Sequence, residues 1–286
     1  MDIEVKGHSG CQIDIVRENN ELFVFKSTRD PKYLDRLQLQ AQKQQDAAKV
    51  ELQHIRIPQV IDIKRDEHSV VVKMEYVYSK NYVGYFEYAG FEQIAYFTKA
   101  LKLFLDYEIN NSSLQTVKAD ILKLKFADVA EKTKANEVLK DDAEIYDTLN
   151  ASEKIFANAT DMELPIGKCH GDLTFSNILF NGNNYYLIDF LDSFIESPLL
   201  DIVKIRQDSA FQWSQLMFTG EYDRLRLKIV ADKIDSDIVK YASQFEWYKY
   251  YAIFQLMNFL RVLQYAHEKE VIDYHKRIIK QLLHGF

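Results

Sequence analysis

The sequence predicts an α+β fold in two lobes: a small antiparallel sheet with one helix N-terminal, and a mainly helical C-terminal lobe. Three observations carry this. Residues 1–77 alternate apolar and polar positions with a period of two, broken once by a helix-forming stretch. From about 90 to 160, and again from about 199 to 284, Leu, Ile, Phe and Ala recur every three or four residues among charges, as in FEQIAYFTKALKLFLDYEI. Between those blocks, residues 169–190 read as a loop-strand-turn-strand island. The change of texture after Val77 divides the chain into 1–77 and 78–286.

In chain order, CQIDIV and ELFVFK are short, rich in branched and aromatic residues, and separated by Glu18-Asn19-Asn20, which predicts a hairpin. Asp30-Pro31 opens a helix over roughly 31–53, where Leu, Gln, Lys and Ala dominate. IPQVIDI begins another strand at Pro58, Asp66-Glu67-His68-Ser69 turns, and VVVKMEYV closes the sheet. In the helical lobe, Asn181-Gly182-Asn183 is a turn signal between NILF and YYLIDF. The period of two there places Tyr186, Ile188 and Phe190 on one face and Leu187 with Asp189 on the other.

The 286 residues are 47% hydrophobic, with nine glycines and four prolines, enough to build a substantial core without staples. Cys11 and Cys169 lack metal-ligand spacing and read as reduced thiols. A net charge of -7 argues against a nucleic-acid partner held through phosphates, so an anionic ligand needs specific local cations. MDIEVKGHSG lacks the pattern of an export signal, and no apolar run reaches the roughly 18 residues of a membrane span. The expectation is a cytoplasmic protein without a membrane partner.

CHGDLTFSNILFNGNNYYLIDF sets two aspartates, a histidine and an asparagine among core-type residues. Asp172 and Asn177 stand five positions apart on a loop that can curl both toward one spot, and Asp189 ends an apolar strand. Two carboxylates and an amide oxygen are hard ligands suited to magnesium, which takes its other ligands from water and phosphate. Turn-capping or pairing with lysine is the alternative for each aspartate alone.

The set resembles the catalytic hairpin of the aminoglycoside phosphotransferase and choline kinase superfamily, with its protein-kinase-like fold. His170-Gly171-Asp172 with Asn177 is similar to that family's H-G-D-x-x-x-x-N, and Ile188-Asp189-Phe190 to its hydrophobic-Asp-aromatic motif, 17 positions on. The resemblance implies that residues 1–77 form a nucleotide-binding lobe and 78–286 a catalytic and acceptor-binding lobe. It implies that Asp172 accepts or orients the proton of an attacking hydroxyl, that Asn177 and Asp189 hold Mg, and that His170 supports the loop. SPLLDIVKI resembles the family's entry into the next helix, which makes Asp201 an anchor of the catalytic loop.

The same resemblance asks for an upstream strand lysine facing the cleft. Lys26 of ELFVFK meets this, sharing a face with Leu22 and Val24 while Phe23 and Phe25 are expected to pack on the helix. Where the family commonly has a glutamate that holds the lysine, this helix offers Gln44, with Asp46 and Glu51 nearby. Ser9 and Gly10 of GHSGC stand where relatives cover the nucleotide phosphates, although the loop is no G-x-G-x-x-G and also reads as a plain turn. Glu75 and Val77 resemble the inter-lobe hinge whose backbone receives the base.

Protein kinases carry a long activation segment and A-P-E; here 11 residues separate Asp189 from Asp201. The expected reaction is therefore transfer of the terminal phosphate of a nucleoside triphosphate, ATP or GTP, to a hydroxyl of a small molecule such as an amino alcohol, amino sugar or sugar. FEWYKYYAIFQLMNF at 245–259 reads as core or as a cage for an ammonium group, and Glu246, Asp192 and Glu196 as surface acids or partners of a cationic acceptor. A catalytically silent nucleotide-binding or scaffold protein of the same fold is the alternative, favoured by Gln44 and the thin glycine loop.

Overall fold

The computed structural model describes residues 3–6 and 11–286, with side chains from Cys11 onward. Its first elements are β1 (Ile3–Lys6), β2 (Gln12–Glu18), β3 (Glu21–Thr28), α1 (Leu34–Ala47), the short β4 (Ile55–Arg56), β5 (Val60–Arg65) and β6 (Val70–Glu75). Five of these strands form an antiparallel sheet in the order β1-β2-β3-β6-β5. The predicted hairpin is β2–β3. Asn19 and Asn20 turn it with φ of 49° and 67°, left-handed positions that asparagine tolerates and that a tight hairpin turn requires.

Helix α1 is shorter than the 31–53 expected and packs elsewhere than expected. It stops at Ala47 because the chain must reach Ile55, which pairs with another strand, and Pro58 disfavours helix at the residue before it. The β3–β6 register sets Lys26 opposite Val72 and Val24 opposite Met74. Leu34, Leu37 and Ala41 of α1 pack on this face, with Val60, Val70 and Val72. Phe23 and Phe25 lie on the other face, where the Lys73 ammonium sits 3.9 and 5.7 Å from their ring centres. The helix thus covers the lysine's face and not the two phenylalanines, and its cover shelters the aliphatic stem of Lys26.

The rest of the chain comprises α2 (Tyr82–Phe86), α3 (Phe91–Asn110), β7 (Ser113–Val117), α4 (Ala119–Lys134), α5 (Ala143–Ala157), β8 (Met162–Ile166), β9 (Ile178–Asn181), β10 (Asn184–Leu187), α6 (Pro198–Ser209), α7 (Trp213–Leu216), α8 (Arg224–Ala242), α9 (Tyr251–Leu263) and α10 (Lys269–Leu283). The helices share one apolar core running from Ile94 and Phe97 of α3 to Ile278 and Ile279 of α10. The β7–β8 pair was not expected: SLQTV is mostly exposed and its partner lies beyond two helices, so no local alternation announces it.

The hairpin β9–β10 is the frame of the site. Phe180 and Tyr185 pack against Tyr85, Phe86 and Phe97, with Tyr85 stacked on Phe180 at 4.4 Å. Its outer edge pairs in parallel with β4, Tyr185 opposite Ile55, and Lys80 exchanges two backbone hydrogen bonds of 2.9 Å with Phe180. The predicted alternation ends early: β10 stops at Leu187, and Asp189 has φ 60°. Asp189 therefore leaves the strand face it would share with Leu187 and turns toward the sheet lobe. No helix among the described residues is long and apolar enough to cross a membrane.

Candidate active site

Helix α6 begins cleanly because Ser197 accepts from the Leu199 N–H at 3.3 Å and Pro198 occupies its first position. Asp201, Lys204 and Asp208 follow at spacings of three and four, which places them on one face. All three grip the loop that carries His170, Gly171, Asp172 and Asn177. Asp201 accepts from the His170 N–H at 2.5 Å and the Gly171 N–H at 2.8 Å. Asp208 accepts from the Phe175 N–H at 2.5 Å and is itself held by the Ser214 N–H and hydroxyl at 2.7 and 2.8 Å. Lys204 lies 3.0 Å from Asp172 Oδ1.

These buried charges set one another. Burial, and then the Asp201 charge, push Glu108 of α3 well above the usual carboxylate range, while it accepts from the His170 N–H at 2.9 Å. Burial raises Asp208 to about 6 against the bonds donated to it. Asp172 goes the other way. Burial would raise it, but Lys204, His170 and the Asn177 amide outweigh that and leave its pKa lowered, so it is a carboxylate. Asn177 donates Nδ2 to both the Asp172 backbone oxygen, 2.8 Å, and Oδ2, 3.0 Å.

His170 is wholly buried, accepts from the Asp172 N–H through Nδ1 at 3.2 Å and lies 4.2 Å from the Phe190 ring. Burial lowers its pKa, so the ring is neutral with its proton on Nε2. Gly171 has φ 89°, and a Cβ there would run into the Leu191 carbonyl oxygen. Only glycine permits the close approach by which Leu191 N–H donates to His170 O at 2.9 Å.

Across the cleft, Lys26 Nζ lies 2.8 Å from Asp189 Oδ1. Burial disfavours this ammonium, but Asp189 outweighs it and the lysine pKa is raised. Asp189 keeps 40% of its side-chain exposure, so its second oxygen faces the opening. Ile188 donates its N–H to the Asn177 carbonyl at 3.0 Å, which brings Asp189 beside Asn177. Asn177 Oδ1 and Asp189 Oδ2 are two hard oxygen donors; among the described residues no group of three or more His, Cys, Asp or Glu could cage a metal. That donor set fits an ion such as magnesium that takes its remaining ligands from phosphate and water.

The other expected residues fall as follows. Gln44 is not beside Lys26: its Nε2 donates to the Pro58 carbonyl at 3.0 Å and to Met74 Sδ at 3.5 Å. Asp189 occupies the ammonium in its place, and Asp46 turns outward to Lys49 at 2.8 Å. From α1 it is Lys43 that reaches the site, donating to the Leu191 carbonyl and to Glu196, each at 2.6 Å. Glu75 donates its backbone N–H to Gln59 at 2.9 Å, so of its backbone groups that one is already committed; Val77 is buried beside it. Ser9 and Gly10 lie outside the described residues.

The aromatic run 245–259 encloses a cation of the protein itself. Arg206 makes a two-pronged pair with Asp235 at 2.9 and 3.1 Å, donates to the Tyr248 hydroxyl at 2.9 Å and lies 4.5 Å from the Tyr251 ring centre. Lys204 and Asp208 escaped the sequence reading, although their spacing from Asp201 in DIVKIRQD was a usable signal.

The phosphotransferase enzyme family's model matches residues 15–233. Among solved structures, a thermostable mutant of aminoglycoside phosphotransferase APH(4)-Ia superposes with TM-score 0.64 at 9% identity, covering 100% of this chain and 94% of that one. The GDP and kanamycin complex of APH(2")-IIia gives 0.62 at 15% identity, over 100% and 93%. Aminoglycoside-3'-phosphotransferase of type VIII gives 0.53 at 13% identity, over 98% and 93%. At such identities these likenesses show the fold, and no curated protein matches the chain in sequence. With more than half its length covered by that one family model, the chain belongs to the phosphotransferase enzyme family.

Proposed function

We propose that the chain moves the terminal phosphate of ATP or GTP, bound with magnesium, to a hydroxyl of a small molecule. One observation carries this reading: an ionised Asp172, fixed at both ends of its loop, sits beside Asn177 and faces the Lys26–Asp189 pair across the cleft. Residues 1–77 serve as the nucleotide lobe, with Lys26 on the phosphates and the 75–77 backbone near the base. Residues 78–286 supply the chemistry and the acceptor pocket.

Asp172 orients the acceptor hydroxyl and receives its proton as the oxygen bonds to the γ-phosphorus. The bond from that phosphorus to the β–γ bridging oxygen breaks, and the nucleoside diphosphate leaves with the electron pair. Asn177 and Asp189 would hold magnesium, which supplies neutralisation of phosphate charge. Lys204 positions Asp172 and keeps it ionised, and His170 and Asp201 fix the loop.

The test is nucleoside diphosphate release with magnesium, run beside nucleotide binding by calorimetry. Asp172→Ala is expected to lower turnover by roughly 10² to 10⁴ with nucleotide binding nearly intact. Asp189→Ala is expected to remove metal-dependent nucleotide binding. Wild-type turnover in both variants would sink the assignment, and tight binding without any transfer would make the chain a scaffold.

A further inference from the structure

Behind the Gly171–Asp172 turn a constricted pocket is lined by Gly171, Ser193, Phe194, Lys204, Asn258 and Arg261, with apolar residues of α6 and α9 completing it. Its lining holds two cations and no carboxylate. Lys204 is spent on Asp172. Arg261 is different: among the described residues it has no carboxylate partner, and its guanidinium lies 5.7 Å from the Phe194 ring centre. The neighbouring acids are already engaged, Asp192 with Arg36 at 3.5 Å and Glu196 with Lys43 at 2.6 Å. Arg261 is half-buried; burial lowers its pKa, with Asp172 partly offsetting it, so the guanidinium is within electrostatic reach of the reacting centre.

Resting on the kinase reading above, we infer that the acceptor of this enzyme carries an oxyanion, a carboxylate or a phosphate, which Arg261 receives while a hydroxyl of the same molecule faces Asp172. A half-buried guanidinium with no carboxylate beside it is open to an anion, and its planar fork matches a carboxylate or phosphate in two parallel hydrogen bonds. An amine at this position would meet Arg261 and Lys204 instead. Of the features that would welcome an amine, the aromatic run is filled by Arg206 and Glu196 is held by Lys43 at 2.6 Å. The oxyanion is a spectator, unchanged by the transfer.

The experiment measures ADP or GDP release by the full chain with magnesium. Matched acceptors are glycerate against glycerol, glucose 6-phosphate against glucose, and kanamycin as a cationic comparator. The hydroxy acid and the sugar phosphate separate the two sources of charge. At least one anionic member is expected to exceed its neutral partner by about 10-fold or more in kcat/KM. Arg261→Glu should abolish that preference through KM more than kcat, Arg261→Gln should weaken it, and Arg261→Lys should retain most of it. Equal or better use of glycerol, glucose or kanamycin, or no stimulation by either anionic acceptor, overturns the inference. If magnesium-dependent nucleotide binding persists in that case, the kinase reading stands; if that binding is absent too, both fall.

Discussion

Helix α6 meets the cleft from the helical lobe with Asp201, Lys204 and Asp208, all directed at one loop, whereas α1 meets it from the sheet lobe with Lys43, which reaches Leu191 and Glu196, and with the exposed Arg36–Asp192 pair. In the first set Asp201 and Asp208 are almost free of solvent contact, and only the Lys204–Asp172 pair keeps 17% and 25% of its exposure. The second is looser, since the Lys43 and Glu196 side chains keep 18% and 35% of their exposure. Buried charge with fixed partners gives one geometry; a half-wet pair can be remade at small cost. The loop that bears Asp172 is therefore built to stay, and the one that bears Asp189 to adjust.

The sharpest way to break that contrast is Asp201→Ala, which strands the Gly171 N–H and leaves the His170 N–H to Glu108 alone. A loss of about 3 kcal/mol in urea unfolding is expected, with turnover nearly gone; a loss under about 1 kcal/mol would mean the loop is not anchored from α6. Lys204→Met is next. Without the ammonium the Asp172 pKa rises, so the acid limb of the kcat profile moves to higher pH, and turnover at neutral pH falls by roughly 10-fold. The sign follows from Lys204 lowering that pKa, and an unmoved limb would detach the lysine from the reaction. Lys43→Met should cost least, about 1 kcal/mol or less by thermal unfolding, with a nucleotide KM changed by about two- to threefold. A penalty as large as that of Asp201→Ala would erase the distinction between the two grips.

What could be read from the sequence was what lies close along the chain or repeats with a simple period. His170, Asp172, Asn177 and Asp189 fall within one hairpin, and Lys26 could be sought on a strand. The structure brings Lys26 to Asp189 and Asn177 to Asp172. Which side of the sheet α1 would cover was not legible, because alternation gives two faces without saying which is covered, and Gln44 was misplaced for the same reason. In α6 nearly every residue is buried, so apolar periodicity could not mark the face that holds the loop. Nothing in the sequence marked Arg261 of α9, which meets Lys204 of α6 only in the folded lobe.

The short pairing of Ile55–Arg56 with β10 has a mechanical outcome, for that dipeptide belongs in sequence to the sheet lobe. The covalent crossover is stitched to the same hairpin a few residues on, through Lys80 and Phe180. With both seams on one hairpin, β9–β10 acts as an axle. A swing of the sheet about that line would narrow or widen the mouth above Asp189, whereas a slide would break both pairings.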